Sequence, residues 1–194
     1  MTTLFRTPKW IDPFICQYEM KDVEVCKKII DSTEQSTRWL PSTTVGGLNT
    51  LNRDSSYVQF SADMPPVEHE PMLAFMQECM THYLESIPAA SNVPVFGLKE
   101  GYSVLRYEPD QAYHAYHSDA GYPELVARHV TTVVYLNTLE EGGDTEFKHQ
   151  GLKISPVAGR SIIFPAWWGY THRSVPSPEK RYVLNGFHSF LEEQ

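Results

Sequence analysis

Cysteine is scarce in this chain of 194 residues. Only Cys16, Cys26 and Cys79 are present, an odd number at wide spacing and without a CxxC. That pattern excludes a disulfide framework and a cysteine-ligated zinc site, and it points to a reducing, cytoplasmic setting. Long apolar runs are missing as well. No window approaches the ~20 residues needed to span a bilayer, and the amino-terminal "MTTLFRTPKWIDPF" has no unbroken apolar stretch of the signal-peptide kind. Basic clusters are absent, against a formal charge of −8. Phosphate neutralisation needs grouped Lys and Arg, so no nucleic-acid partner is expected, and no membrane partner either. There are no internal repeats.

What is there reads as β-rich. Fourteen prolines and eleven glycines imply many turns, and a 12% aromatic share suits β cores and small pockets. The first half carries two helical patterns. In "KDVEVCKKIIDSTEQ" (21–35), Val25, Cys26, Ile29 and Ile30 share a side. After Pro65 and Pro66, Met72, Leu73, Met76, Cys79, Met80, Tyr83, Leu84 and Ile87 recur at three- and four-residue intervals, a core-facing stripe. Between them, 40–60 reads as a long loop ending in a short strand, "YVQF", and is equally a surface connection or a lid over a pocket. From residue 101 short β segments alternate with turns: 102–107, 129–137, 144–149, 160–165 and 181–190. The expected fold class is mostly β (α+β), one domain over 1–194. Residues 1–98 supply helical support and a substrate loop, and 99–190 an all-β barrel.

The chemistry gathers at "AYHAYHSDAG" (112–121). His117 and Asp119 are two residues apart, which in a strand aims an imidazole and a carboxylate at one face. A second histidine would complete a facial triad of two histidines and one carboxylate, the donor set of non-haem Fe(II) oxygenases. His172 in "WWGYTHRSVP" is the candidate. Nine residues further on, Arg181 opens the last β segment. An arginine fork there can hold the far carboxylate of a dicarboxylate cosubstrate whose other end chelates the metal.

The set "HSD" (117–119), "TTVVYLN" (131–137), "GGDTEF" (142–147), "SPVAGRSIIFP" (155–165), His172 and Arg181 resembles the 2-oxoglutarate- and Fe(II)-dependent dioxygenases, in particular their prolyl 4-hydroxylase-like branch. The resemblance covers roughly residues 100–190. It implies a double-stranded β-helix (jelly-roll) core, Fe(II) held by His117, Asp119 and His172, and 2-oxoglutarate bound by Arg181. Tyr135 would donate to the same cosubstrate carboxylate, with Tyr107 and Thr145 lining that pocket. It also implies O2 as co-reactant, ascorbate as candidate reductant, and a proline-containing peptide or protein as substrate, with the enzyme a monomer or homodimer. "LNRDSSYVQF" (51–60) resembles an Arg-Ser stretch near the substrate loop of prolyl hydroxylases.

The chain departs from that family in places. Where relatives with proline substrates often carry a tyrosine three residues before the first iron histidine, this chain has His114, flanked by Tyr113 and Tyr116. Phe187 replaces a tryptophan, and the cosubstrate cation is Arg rather than the Lys of collagen-type enzymes, although Lys180 is adjacent. Tyr113, His114, Tyr116, Trp167, Trp168 and Arg106 are the candidate substrate contacts. His129, His149 and His188 lack a partner at ligand spacing and read as structural or solvated, and Asp144 as a turn residue. Retention of Asp119 favours hydroxylation over halogenation. The competing readings are hydroxylation of a free amino acid or other small molecule, a non-catalytic metal-binding β-barrel, and a zinc hydrolase. The last would want an extra acidic base, and none is evident.

Overall fold

The first half of the chain holds more strand than its hydrophobic pattern suggests. The computed structural model describes residues 3–44 and 47–191. Positions 45 and 46 of the 40–60 loop, and residues 1, 2 and 192–194 of the expected 1–194 domain, lie outside the described residues. A hairpin of β1 (Lys9–Asp12) and β2 (Ile15–Glu19) precedes α1 (Glu24–Glu34), so residues 1–98 are not purely helical support. β2 has buried residues on both faces, which removes the alternation that would have marked it as a strand. Then follow β3 (Leu40–Pro41), β4 (Ser56–Phe60), α2 (Glu70–Ser86), α3 (Pro88–Ser91) and β5 (Phe96–Gly97).

The second half contributes β6 (Tyr102–Tyr107), β7 (Arg128–Tyr135), β8 (Thr145–Phe147), β9 (Leu152–Ile154), β10 (Arg160–Pro165), β11 (His172–Ser174) and β12 (Arg181–Phe190). Short β9 and β11 escaped the sequence pattern. Three residues give periodicity too little length to register. Among the described residues, nine strands form a large antiparallel sheet in the order β1-β2-β10-β7-β12-β6-β4-β3, with β5 on the end of β12. A second sheet runs β11-β8-β9.

Strand alternation feeds two separate cores. Tyr102 and Val104 of β6, Val134 of β7, Ile163 of β10, and Tyr182 and Leu184 of β12 point to the helical side. There they meet Val25 and Ile29 of α1 and Met72, Phe75, Met76, Cys79, Met80 and Tyr83 of α2. Leu105, Tyr107, Val133, Tyr135, Ile162, Phe164 and Val183 point the other way, against Phe147 and Ile154 of the small sheet. Each fully buried aliphatic or aromatic side chain contributes about 1.5–3 kcal/mol through burial. The central strands are covered on both faces, hence runs such as "TTVVY". The three cysteines are buried and unpaired, and no described helix is long and apolar enough to cross a membrane.

The turn before β8 needs glycine. Gly142 and Gly143 sit at φ 68° and 70°, and a Cβ on Gly142 would meet the Pro176 carbonyl oxygen at 2.2 Å. The turn thereby folds "EEGG" onto the segment that leads into β12.

Candidate active site

His117 and His172 are joined through their backbones. Each N–H donates to the other residue's carbonyl, at 2.9 and 2.8 Å, as an isolated antiparallel bridge. The 117–119 segment is not a strand, so His117 and Asp119 do not converge by the alternation of a pleated face. Asp119 lies in a turn, pinned by its surroundings. Thr131 of β7 donates its hydroxyl to Asp119 Oδ2 at 2.7 Å, Arg128 reaches the Asp119 carbonyl at 3.3 Å, and Ala120 N–H donates to the Ala166 carbonyl at 2.9 Å.

The imidazole tautomers follow from partners that can only accept. His117 Nδ1 faces the Ala115 carbonyl at 3.2 Å and His172 Nδ1 the Tyr170 carbonyl at 3.0 Å, so each Nδ1 carries the proton. Both Nε2 atoms, left with their lone pairs, lie near Asp119, 3.7 Å from Oδ1 and 4.0 Å from Oδ2 respectively. One donor atom from each of the three residues lies within 4.8 Å of the others. Burial, and then the neighbouring His172, pushes His117 down to about 3, which keeps it neutral and free to ligate. Two neutral imidazoles and one carboxylate suit a divalent metal of intermediate softness.

A cavity of about 350 Å³ opens onto these three residues and also onto Arg181. The Arg181 side chain is 4% exposed. Among the described residues it meets no carboxylate. Its Nη2 reaches only Thr145 Oγ1, at 3.5 Å, and its Nε has no partner. The guanidinium stands 5.0 Å from the Tyr107 ring centroid and 5.6 Å from that of Tyr135. Tyr135 donates to Thr145 Oγ1 at 2.6 Å, so Tyr135, Thr145 and Arg181 form one connected group. A buried cation without a counter-ion is costly, and an anionic ligand would remove that cost.

The candidate substrate contacts divide. Tyr113 lines the cavity, its ring stacked on His117 at 3.5 Å and 9°. His114 does not line it, so the ring beside the metal site comes from four residues before His117 rather than three. Tyr116 is turned outward to Glu146 (2.9 Å), while Trp167 and Trp168 are 52% and 74% exposed and outside the lining. Arg106 belongs to the helical side. Leu105 and Tyr107, on either side of it in β6, line the cavity, and Arg106 instead pairs with Glu34 at 3.1 Å and covers Trp39 at 4.1 Å. Of the remaining histidines, His188 is buried against Thr132 and His129 bonds the Ala90 carbonyl.

Among the lining residues, Arg128 and Glu100 gave no clear signal in the sequence, whereas Arg53 falls within "LNRDSSYVQF" and Phe187 at the position of the family's tryptophan. Arg128 binds Glu100 and stacks on Phe187 at 3.7 Å from the ring centroid. Burial pushes the Glu100 carboxyl up, but the hydrogen bonds and charge of Arg128 outweigh it and hold the group below the usual carboxylate range. Arg53, from the loop before β4, stands 5.1 Å from the Tyr113 ring centroid. Thr131 lay in full view within "TTVVYLN", where a buried hydroxyl among valines was the available cue.

A family model described as the 2OG-Fe(II) oxygenase superfamily matches residues 102–189. Prolyl 4-hydroxylase 13 of Arabidopsis thaliana is 32% identical over 84 residues, covering 34% of this chain and 31% of that protein, so the match spans about a third of the relative's length. Among solved structures, the viral collagen prolyl hydroxylase of Paramecium bursaria Chlorella virus-1 superposes with a TM-score of 0.69 at 22% identity, over 92% of this chain and 97% of that one. A Trichoplax adhaerens prolyl hydroxylase in complex with a hypoxia-inducible factor peptide gives 0.73 at 15% identity, over 90% and 83%. At these identities the structural likeness establishes the shared fold, a double-stranded β-helix.

Proposed function

We propose, from the match of residues 102–189 to the 2OG-Fe(II) oxygenase superfamily, that the protein is an Fe(II)- and 2-oxoglutarate-dependent dioxygenase that hydroxylates a prolyl residue in a peptide or protein. One observation carries the reading: the His117, Asp119 and His172 donors and the unpaired, buried Arg181 open onto a single cavity. A metal site alone would have no use for a second, buried cation.

His117 Nε2, His172 Nε2 and an Asp119 oxygen would hold the iron. Bound there with 2-oxoglutarate and O2, it would supply oxidation of an unactivated C–H coupled to formation of succinate and CO2. The chain's own residues bind and orient. Arg181 takes the distal cosubstrate carboxylate in its fork, and Thr145 and Tyr135 steady that group from one side. Tyr107, Leu105, Val133 and Val183 keep water from this end of the cavity. Thr131 and Arg128 fix Asp119 so that its carboxylate faces both imidazoles. Tyr113, Arg53 and Phe187 border the space left for the substrate.

Prolyl hydroxylation is supported by the matched prolyl hydroxylases and by an aromatic ring, Tyr113, against the first histidine. The buried, unpaired cysteines suit the reducing, cytoplasmic setting. The test incubates protein, Fe(II), 2-oxoglutarate and ascorbate with proline-containing peptides and with free amino acids, and reads peptide mass and succinate together. A gain of one oxygen on a prolyl peptide, lost in Asp119→Ala, is the expected result. Turnover of free amino acids alone would replace the peptidyl reading with the small-molecule one.

A further inference from the structure

The large sheet has a second cavity on its helical side. On β12, Phe187 lines the cavity of the candidate metal site, while its neighbours Gly186 and His188 face the helices. A Cβ on Gly186 would meet Met76 Cε at 2.9 Å and Leu98 Cδ2 at 3.0 Å, so the glycine lets these two side chains come down onto the strand. Above them a groove of about 630 Å³ opens between α2 and the 93–98 segment, with the His188 ring in its lining. Leu73, Met80 and Leu84 form the helix wall, and Val93, Val95 and Phe96 the opposite one. The eleven residues from Leu73 to Leu84 span about 16 Å along α2.

Three observations define what fits there. The walls are apolar yet open. Val95 is 73% exposed, and Leu73 and Leu84 are only partly buried, so α2 is apolar over more of its circumference than the core uses. No charged side chain lines the groove, whose only polar side chains are Gln77, Ser91 and His188. α2 itself carries Glu70, Glu78 and Glu85 and no Lys or Arg, so an anionic head group would find no counter-charge. The third observation is His188, which the candidate metal site does not use. Its side chain is buried, its Nε2 faces Thr132 Oγ1 at 3.3 Å, and its Nδ1 has no hydrogen-bond partner among the described residues. Burial, with His129 second, holds the ring neutral at pH 7. One nitrogen of a neutral imidazole donates and the other accepts. A hydroxyl does both, and so matches Nδ1 in either tautomer.

We infer that this groove binds an uncharged, elongated apolar molecule with a single hydroxyl, of the class of a medium- or long-chain alcohol. The chain lies along α2 and the hydroxyl meets His188. Apolar walls with one or two placed polar groups are the usual make-up of a small-molecule site, and Met76 and Met80 adapt to the shape of a flexible chain. The site is on the opposite face of β12 from the candidate metal site and does not depend on the dioxygenase reading.

The test titrates the whole chain with 1-octanol, 1-nonanol and 1-decanol, and with decanoate and decylamine as charged counterparts. Calorimetry gives Kd, and the methyl NMR signals of Met76 and Met80 report the place. Each added methylene should tighten Kd about 4-fold. Both methyl signals should move, and decanol should bind on the order of 10-fold or more tighter than either charged probe. An excess of Fe(II) and 2-oxoglutarate, without oxygen, should leave the Kd unchanged. Ala74→Trp, at an exposed position of α2 that lines the groove, should abolish binding. His188→Phe should weaken the alcohol by one net hydrogen bond, about 2- to 12-fold, with the same gain per methylene. Affinity indifferent to chain length, or displacement of the alcohol by 2-oxoglutarate, overturns the site. A charged probe that binds as well as the alcohol overturns the uncharged head group. A dimer in sedimentation that Val95→Glu converts to monomer, without alcohol binding, would assign the groove to a second copy of the chain instead. The wild-type series and Ala74→Trp decide the matter even where His188→Phe fails to fold.

Discussion

Replacing Arg181 by methionine separates a ligand-binding cation from a structural one, because the two roles give opposite signs in stability. The guanidinium is 4% exposed, has an unpartnered Nε, and meets only the Thr145 hydroxyl at 3.5 Å. With no carboxylate beside it among the described residues, its burial opposes folding until an anion arrives. Methionine keeps most of the volume and removes the charge. The ligand-free variant should therefore match or exceed wild type in Tm. Binding of 2-oxoglutarate should behave the other way. A bidentate pair of charge-assisted hydrogen bonds, at about 1.5–3 kcal/mol each, loses at least about 3 kcal/mol on truncation, or on the order of 100-fold in Kd. At a concentration 100 times the wild-type Kd, ligand adds about 2.7 kcal/mol, an upward shift of about 5–10 °C for a domain of this size. Calorimetry gives the Kd and a melting scan with and without 2-oxoglutarate gives the shift. A variant that binds 2-oxoglutarate as wild type does would refute the cosubstrate assignment. A large fall in ligand-free Tm would make Arg181 a structural residue instead.

Thr131→Val removes the hydroxyl that Asp119 Oδ2 accepts from at 2.7 Å while preserving side-chain shape. Metal affinity, read by competition with a chelator, should fall about 10- to 100-fold, and an unchanged affinity would mean that Asp119 is oriented by its backbone alone. Burial, with the nearby His129 second, pushes His188 down to about 4. Unfolded histidine binds a proton near pH 6.5, so the unfolded state takes up more protons between those values and stability falls as pH drops through that window. Urea midpoints at pH 7 and pH 5 should differ less in His188→Gln than in wild type, and an identical pH dependence would assign the effect to other groups, of which buried His69 shifts in the same direction. Gly142→Ala places a Cβ 2.2 Å from the Pro176 carbonyl at a φ of 68°. It should destabilise by at least about 1–3 kcal/mol in urea unfolding, and a neutral result would mean that the turn can re-form without leaving the left-handed region.

Strands covered on one pattern throughout their length were the most legible parts of the chain. β6, β10 and β12 occupy the spans that their β-branched and aromatic runs suggest, and α2 follows its methionine stripe. The β1-β2 hairpin was hidden for a physical reason. β2 is buried on both faces and β1 is mostly open, so neither shows period-two alternation. Arg106 illustrates a different limit. Its type suits a substrate contact, yet its parity on β6 sends it to Glu34 on the helical side while Leu105 and Tyr107 face the cavity. Strand parity was available in the sequence once the cavity side of β6 was known, and that side becomes known only when β12 and β7 are paired beside it.

The His117 and Asp119 pair shows how a spacing rule can gather the right side chains by a different route. Period-two reasoning needs a pleated strand at 117–119, and the chain there is a single bridge followed by a turn. Two backbone contacts to one short segment do the positioning instead: the His117–His172 bridge and the bond from Ala120 N–H to the Ala166 carbonyl. The turn carrying Asp119 is therefore clamped at both ends by the stretch that joins β10 to β11, and the Thr131 hydroxyl rotates the carboxylate toward both Nε2 atoms. The geometry of the triad is thus a property of the 166–172 connection as much as of the HxD motif. The exposed Trp167 and Trp168 lie on that connection, outside the cavity. Deleting one residue between Ala166 and His172 should accordingly displace His172 relative to Asp119 and cost metal affinity, even though all three ligands are retained.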